Sequence, residues 1–241
     1  MKRIVAKCTS IYASGSTSSG IYTIWLKERF QFIYVYCNMD LVSTKKGWTT
    51  IQKRMNGEVN FNRGWDDYVR GFGNSRGEYW LGLENIYRVY RQTTIFTGDF
   101  HEFKPPEVGF DLEDWDGVKA FAEYKFFLYS SKKSNYDLVV FRPAIISSCF
   151  SDVPIEISQF STPDVDNNKY DSHHCGQEFK SGWWWYYGSC ETSNLNQPYP
   201  KYKQDMTRYN MYWEGWSCFS GTDTALRFVS MNLYQNYVEN N

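Results

Sequence analysis

The residue types from which reactive sites are built occur here in a few short clusters. Gly73-Asn74-Ser75-Arg76-Gly77 has the G-x-S-x-G spacing of a nucleophile elbow, in which a strained strand-to-helix turn presents the serine to a carbonyl. Asp114, Asp116, Gly117 and Glu123 fall on positions of a calcium-loop pattern, where carboxylates wrap a hard cation. His173-His174-Cys175 offers the nitrogen and sulfur donors that suit zinc. The remaining histidine is His101, and cysteines stand at 8, 37, 149, 175, 190 and 218.

Each cluster fails on what must surround it. An elbow needs a strand before it and a helix after it; here a helical pattern precedes and the strand-like Glu78-Tyr79-Trp80-Leu81 follows, so the glycines read as a helix stop. In the calcium-loop pattern the first ligand position falls on Leu112, and the segment after Lys119 reads as strand. Adjacent residues rarely converge on one ion, and so few histidines leave a serine or cysteine nucleophile short of a base. Asp66-Asp67 reads as the solvated face of a helix. No catalytic constellation remains, and the chain reads as non-enzymatic.

Composition narrows the classes further. The 241 residues suffice for one large domain with a full core. Lys+Arg 26 against Asp+Glu 27 leaves a net charge of −1, so there is no basic footprint for nucleic acid. No apolar run approaches the roughly 18 residues of a membrane span. The most apolar stretch, Phe30 to Val35, is short and carries Gln31. The even cysteine count lets every thiol be paired but leaves the connectivity open. With no Cys-x-x-Cys pair, an exported, oxidised domain is favoured over a cytosolic one. The segment from Met1 to Lys7 has positive residues but no apolar core, so it is not a signal peptide, and a leader upstream is expected. Aromatics make up 20% of the chain, which suits a β-rich, loop-rich domain with recognition surfaces.

These residues need elements to position them. Ile21–Trp25 and Phe32–Tyr36 read as strands, as do Ala120–Tyr129, Tyr136–Phe141 and Leu226–Leu233. Trp48–Arg54 alternates and ends at Asn56-Gly57, which predicts a hairpin returning through Val59-Asn60-Phe61. Trp65, Tyr68, Val69 and Phe72 recur at helical spacing, with Asn62 as cap and Gly71 and Gly73 as stops; Leu83–Tyr90 is a second helix. Between about 143 and 225 regular patterning is scarce, yet four of the cysteines and much of the tryptophan lie there. Loops that long are uncommon unless functional, so the binding site is expected in this region.

Gly47-Trp48-Thr49-Thr50-Ile51-Gln52-Lys53-Arg54, Gly57-Glu58-Val59-Asn60-Phe61, Trp65, Tyr68, Gly71-Phe72-Gly73 and Gly77-Glu78-Tyr79-Trp80-Leu81-Gly82-Leu83 together resemble the fibrinogen C-terminal domain (fibrinogen-like) family. The likeness continues through Phe160-Ser161-Thr162, Asp164-Val165-Asp166-Asn167-Asn168, Cys175, Gly182-Trp183-Trp184-Trp185-Tyr186, Cys190 and Ser193-Asn194-Leu195-Asn196. It ends at Trp213, Trp216 and Leu226-Arg227-Phe228. It implies an α+β fold in a single domain, 8–235, with subdomains of about 8–46, 47–142 and 143–235. These are a small N-terminal unit, a central mixed or antiparallel sheet with short helices, and a loop-rich C-terminal region holding ligand and calcium sites.

The resemblance also implies residues. The family bridges fall on Cys8–Cys37 and Cys175–Cys190, which leaves Cys149 and Cys218 to pair with each other. Calcium ligands fall on Asp166 and Asn168, with carbonyls near Tyr170 and Ser172. Asn168 removes one negative charge and an extra residue precedes Cys175, so weak affinity is expected, with Asp164 as a compensating carboxylate. Lectin members recognise acetylated sugars with a histidine after the second bridge cysteine. Here that position is Glu191, which when ionised donates no hydrogen bond. Phe179 is expected as an apolar wall and Arg208 and Tyr209 as its rim. The Trp183-Trp184-Trp185 triplet, the absent histidine and Asp111-Leu112-Glu113-Asp114-Trp115 are similar to angiopoietin-like members. Core packing is the ordinary role for such tryptophans, and an aromatic hot spot the functional one.

The expectation is therefore a secreted, extracellular, non-catalytic recognition module for a protein receptor or glycan-bearing partner. A calcium-supported innate-immune lectin for acetylated or acidic glycans is the alternative, and a structural assembly module a further one. Oligomerisation is expected through segments outside this chain.

Overall fold

The computed structural model describes residues 6–40, 47–92, 106–146, 158–168, 173–185, 190, 193–205, 207, 209–213, 216 and 225–235. In chain order the elements are α1 (Cys8–Ala13), β1 (Gly20–Leu26), β2 (Gln31–Asn38), β3 (Trp48–Arg54), α2 (Trp65–Arg70), β4 (Phe72–Gly73), β5 (Tyr79–Trp80) and α3 (Leu83–Arg91). They continue with β6 (Glu107–Asp114), β7 (Lys119–Tyr129), β8 (Leu138–Ile146), β9 (Phe160–Ser161), α4 (Cys175–Glu178), β10 (Trp183–Trp184) and β11 (Leu226–Tyr234). Long antiparallel strands and short helices make this an α+β fold, as expected.

One sheet runs in the order β1-β2-β3-β11-β6-β7-β8, with the β4-β5 hairpin attached to β3. It crosses all three expected subdomains. The last strand, β11, inserts between β3 and β6 and pairs antiparallel with both, so the C-terminal residues complete the centre of the sheet. At the N-terminal end Cys8–Cys37 ties α1 to β2. Inward-facing Ile24, Leu26, Ile33 and Val35 are buried, while Trp25, Phe32 and Tyr34 point to the other face, as the period of a strand demands. Phe30, at the turn between β1 and β2, has left-handed backbone (φ 50, ψ 44), a conformation that costs a non-glycine residue about 1–2 kcal/mol.

The aromatic content becomes a ring-on-ring core. Trp80 meets Tyr68, Phe160 and Trp184 at centroid distances of 5.6, 5.8 and 5.9 Å, and Phe160 meets Trp184 at 4.9 Å. Trp183, Trp184 and Trp185 are all buried, and Trp184 Nε1 donates to Tyr136 O at 2.8 Å. The triplet is core, and the hot-spot reading of it is corrected.

Several local expectations are corrected as well. Residues 59–61 form no strand, and β3 pairs with β5 and β11 instead. The turn after β3 is set by a carboxylate: Glu78 Oε1 accepts from the backbone N–H groups of Met55, Asn56 and Gly57, and Oε2 from that of Val59, at 2.8–3.1 Å. Gly57 is needed there, because at its φ of +74 a Cβ would lie 2.9 Å from the Tyr199 ring. The cap of α2 is Gly64 rather than Asn62. The 73–77 glycines form the β4-β5 turn, with Asn74 N–H donating to Glu78 O and Gly77 N–H to Asn74 O. Strand β6 was hidden because Gly109, Asp111 and Glu113 interrupt its apolar residues, yet Val108, Phe110 and Leu112 alternate and are buried.

Strand β3 is buried along its whole length, polar residues included. Burial without a partner would be expensive for such groups. Gln52 Nε2 donates to Leu195 O at 2.9 Å, and Arg54 Nη1 to Leu195 O and Gln197 O at 3.2 and 2.8 Å. Burial pushes the Arg54 pKa down to about 10, opposed chiefly by Glu78, whose Oε1 lies 3.9 Å from Arg54 Nε. Burial alone would raise the Glu78 pKa, but its backbone donors and Arg54 outweigh that and hold it below the ordinary value of 4.5. Its stabilising contribution is present above that value and lost as pH falls through the lower folded one. Glu78→Gln places an amide donor against backbone donors; it is expected to cost about 2–4 kcal/mol in urea unfolding at neutral pH and to flatten the acid limb of the stability curve.

Asp111 behaves oppositely. On β6 its Oδ2 accepts from Ser230 Oγ, Asn38 Nδ2 and Asn232 Nδ2 at 3.2, 3.3 and 3.5 Å, yet burial pushes its pKa from 3.8 up to about 6. A raised folded value favours the fold below 3.8 and withdraws that stabilisation as pH rises to about 6. Asp111→Asn keeps an acceptor oxygen for the same donors. Thermal melts are expected to lose the decline across that window and to show a variant at least as stable as the parent at neutral pH.

Candidate functional site

The loop-rich region is organised by buried amides. Asn194 Nδ2 donates to Ser181 Oγ, and Asn196 Nδ2 to Gly182 O, each at 2.9 Å, and Asn196 Oδ1 accepts from Gln52 Nε2 at 3.1 Å. Residues 193–197 are thereby fixed both to β3 and to the segment before β10. The Cys175–Cys190 bridge, with Cα atoms 5.4 Å apart, closes α4 onto the same segment. Met211 N–H donates to Pro198 O at 3.0 Å and Asn210 Nδ2 to Asp205 O at 2.6 Å, which holds the following loop in place.

On this frame two expected residues come together. Phe179, at the end of α4, and Tyr209 face each other at 5.4 Å with their planes 32° apart. Trp185 backs Phe179, also at 5.4 Å. Phe179 is buried, and Tyr209 is 44% exposed. They line an open cavity of about 410 Å³ with Glu178, Lys180, Pro198 and Asn210, within the usual size range for ligand sites. Its chemistry is an aromatic wall with an ammonium, a carboxylate and an amide around it. Glu191 and Arg208, expected at the same rim, lie outside the described residues, as do Tyr170, Ser172, Cys149, Cys218 and His101.

The loop expected to hold calcium lies on the other side of α4. Asp166 Oδ1 accepts from Asn168 N–H at 3.1 Å, and Asn168 Nδ2 donates to His173 O at 3.2 Å. Asp164 is turned elsewhere: its Oδ1 accepts from Thr162 Oγ1 at 2.7 Å and from Trp65 N–H at 2.8 Å, so it bonds the first turn of α2 from 99 residues away. His174 Nε2 lies 2.9 Å from Thr162 O, a bond that occupies it within the loop. Among the described residues no group of three or more His, Cys, Asp or Glu side chains is placed to hold a metal. Asp166 and Asn168 nevertheless offer hard oxygens of the class calcium takes, with a single formal charge between them.

The model of the fibrinogen beta and gamma chains, C-terminal globular domain, matches residues 4–236. The chain belongs to the fibrinogen C-terminal domain family. Human angiopoietin-4 is 34% identical over 232 residues, 96% of this chain and 42% of its own length. Angiopoietin-2 of Canis lupus familiaris is 33% identical over 216 residues, 88% of this chain and 40% of its own. The chain thus spans about two fifths of the length of these relatives. The fibrinogen-like globe domain of human ANGPTL2 superposes with a TM-score of 0.80 at 30% identity, covering 97% of this chain and 100% of that one. Lamprey fibrin D-dimer, solved with the peptide ligand Gly-His-Arg-Pro-amide, gives 0.74 at 25% identity, covering 100% of this chain and 78% of that one.

This fibrinogen C-terminal domain carries a second concavity that the sequence did not announce. A groove of about 720 Å³ runs between residues 55–62 and 198–201, with Arg54 among its lining and Trp115 and Arg227 also bordering it. Pro198 borders both this groove and the Phe179–Tyr209 cavity. Nothing local marks it, because its walls come from four separated segments. The clue available was Glu78, an acidic residue inside an apolar strand-like stretch.

The arrangement around Asp164 makes its role separable from calcium. Asp164→Ala is expected to lower stability by about 1–2 kcal/mol through loss of the helix bond, and thermal melts should show the same loss with chelator present as with calcium.

Proposed function

We propose that this domain is a secreted, non-catalytic recognition module whose Phe179–Tyr209 cavity engages an extracellular protein receptor. The observation that carries it is the aromatic pair at 5.4 Å, half open to solvent and mounted on loops fixed to the sheet by buried amides. An exposed aromatic on a rigid base gives contact area at little entropic cost, which is the character of a binding hot spot. The kinship with angiopoietins and the peptide-bound lamprey relative support a polypeptide partner. Disulfides at Cys8–Cys37 and Cys175–Cys190 suit an oxidising compartment, and no described helix is long and apolar enough to cross a membrane.

A second reading is a lectin for acetylated or acidic glycans, favoured by Lys180 and Asn210 at the same cavity. In either case Asp166 and Asn168 are the residues we assign to a weakly held calcium, which would brace the loop and take no part in chemistry. Assembly through this face is a third use of the same surface.

A panel of purified receptor ectodomains, screened on the immobilised domain with N-acetylglucosamine as competitor, separates these readings. The expected result is an ectodomain that sugar does not displace and that Tyr209→Ala weakens about tenfold or more. Absence of any such ectodomain, together with thermal stabilisation by N-acetylglucosamine that chelator removes, would install the lectin reading instead.

A further inference from the structure

The hairpin of β1 and β2 presents an aromatic surface that the proposed cavity does not use. Phe30, Phe32 and Tyr34 are 84%, 54% and 72% exposed. Half-buried Trp25, opposite Phe32 in the strand register, lies 4.7 Å from its ring and 6.2 Å from that of Phe30. Tyr36 continues the stripe with Lys53 Nζ 4.4 Å from its centroid. Phe30 sits at the apex, on backbone where glycine or asparagine is the low-cost choice. The strain there holds an apolar ring out in water, and an outlier of that kind is a reason to look for function.

Two cations, Lys27 and Arg29, stand in the turn that leads to the apex. Lys27, Arg29 and Phe30 are consecutive with Glu28 in one exposed turn. Lys27 N–H donates to Gln92 Oε1 at 3.3 Å, which brings the turn to the C-terminal end of α3 and its Arg88 and Arg91. Gln92 Nε2 donates in turn to Ala6 O at 2.8 Å, which brings in Lys7. Burial pushes the Lys7 pKa down, and repulsion from Lys27 adds to it. The carboxylates that face this end are already engaged: Glu28 lies 3.3 Å from Arg88 and 3.9 Å from Arg91, and Glu84 lies 2.6 Å from Arg88. Lys27 and Arg29 are exposed and adjoin Phe30 in the chain, and none of the described carboxylates forms an ion pair with either.

We infer that this hairpin tip docks on an anionic lipid surface, with Phe30, Phe32 and Trp25 entering the interface and Lys27 and Arg29 meeting phosphate groups. Two features favour lipid over a protein partner. The projecting rings at the apex are phenylalanines, with no polar handle to satisfy a fixed hydrogen-bond register. The charge beside them is a pair of exposed cations, Lys27 and Arg29, which suits an anionic plane. Aromatic rings seat at the membrane interface, and one apolar signal holds a protein there only when electrostatic attraction adds to it.

Cosedimentation of the whole domain with vesicles tests this, using phosphatidylcholine alone and phosphatidylcholine with about a quarter phosphatidylserine. Binding is expected to the mixed vesicles only, at about 0.1 M salt, and to weaken at about 1 M, where the Debye length falls from about 10 to about 3 Å. Phe30→Ser with Phe32→Ser, and separately Lys27→Ser with Arg29→Ser, should each reduce partitioning about tenfold or more; the melting midpoint checks that each pair folds. No binding to mixed vesicles overturns the proposal, as does binding that the aromatic pair leaves unchanged. Self-association in sedimentation equilibrium that the aromatic pair abolishes, without vesicle binding, assigns the stripe to a second copy of the chain and equally overturns it. None of these outcomes depends on the Phe179–Tyr209 cavity, whose failure shows in the ectodomain screen alone.

Discussion

The structure depends on how one central strand is allowed to be polar. Strand β3 runs through the interior with Thr49, Thr50, Gln52, Lys53 and Arg54 all buried; Thr50, Gln52 and Arg54 each find a partner that offsets part of the cost of burial, while Thr49 Oγ1, Gln52 Oε1 and Arg54 Nε accept or donate no hydrogen bond among the described residues. The partners come from far away: Asn232 accepts from Thr50 across 182 residues, and Leu195 and Gln197 accept from Arg54 across 141 and 143. These bonds hold residues 195–197 of the loop-rich region against the central strand.

Glu78 extends the same logic to the turn beyond the strand. Its carboxylate takes four backbone N–H groups that a regular hairpin would have satisfied by itself. The turn can therefore open away from β3 and form one wall of the 720 Å³ groove. Beside it, Arg54 is held between carbonyls below and the Phe61 ring 3.9 Å away. Removing either partner of a buried pair of this kind leaves the other charge uncompensated, which is strongly destabilising.

The same economy explains where exposed aromatics are found. Many of the described rings are consumed by the core around Trp80, Phe160 and Trp184, including the tryptophan triplet, which takes the ordinary core role its sequence offered beside the hot-spot one. Among the described residues the large rings left in water are few: Tyr209 at the cavity mouth, Tyr202, and the run Phe30, Phe32 and Tyr34. That three of them share one hairpin is what sets the hairpin apart from an ordinary apolar scatter.

The amino-acid sequence by itself determined the family, through motifs that survive as strings, and through that resemblance the two described disulfides; local periodicity marked β1, β2, β3, β7, β11, α2 and α3 but not β6. It also placed Phe179 and Tyr209 in one region, although only the fold brought their rings to 5.4 Å. The tertiary structure alone decided the rest. Asn56-Gly57 has the local chemistry of a hairpin, but Glu78 competes for the same backbone groups and wins. Asn62 has the chemistry of a cap, but α2 starts later and its first N–H is taken by Asp164. The stretch Phe32–Tyr36 reads as a strand, whose alternate residues face opposite ways, but only the tertiary structure decides that Ile33 and Val35 are covered while Phe32 and Tyr34 are left in water. The physical reason is common to these cases: a short polar or aromatic residue states what it can do, and which partner reaches it is settled by contacts outside its own segment, 19–23 residues away for Glu78 and 99 for Asp164.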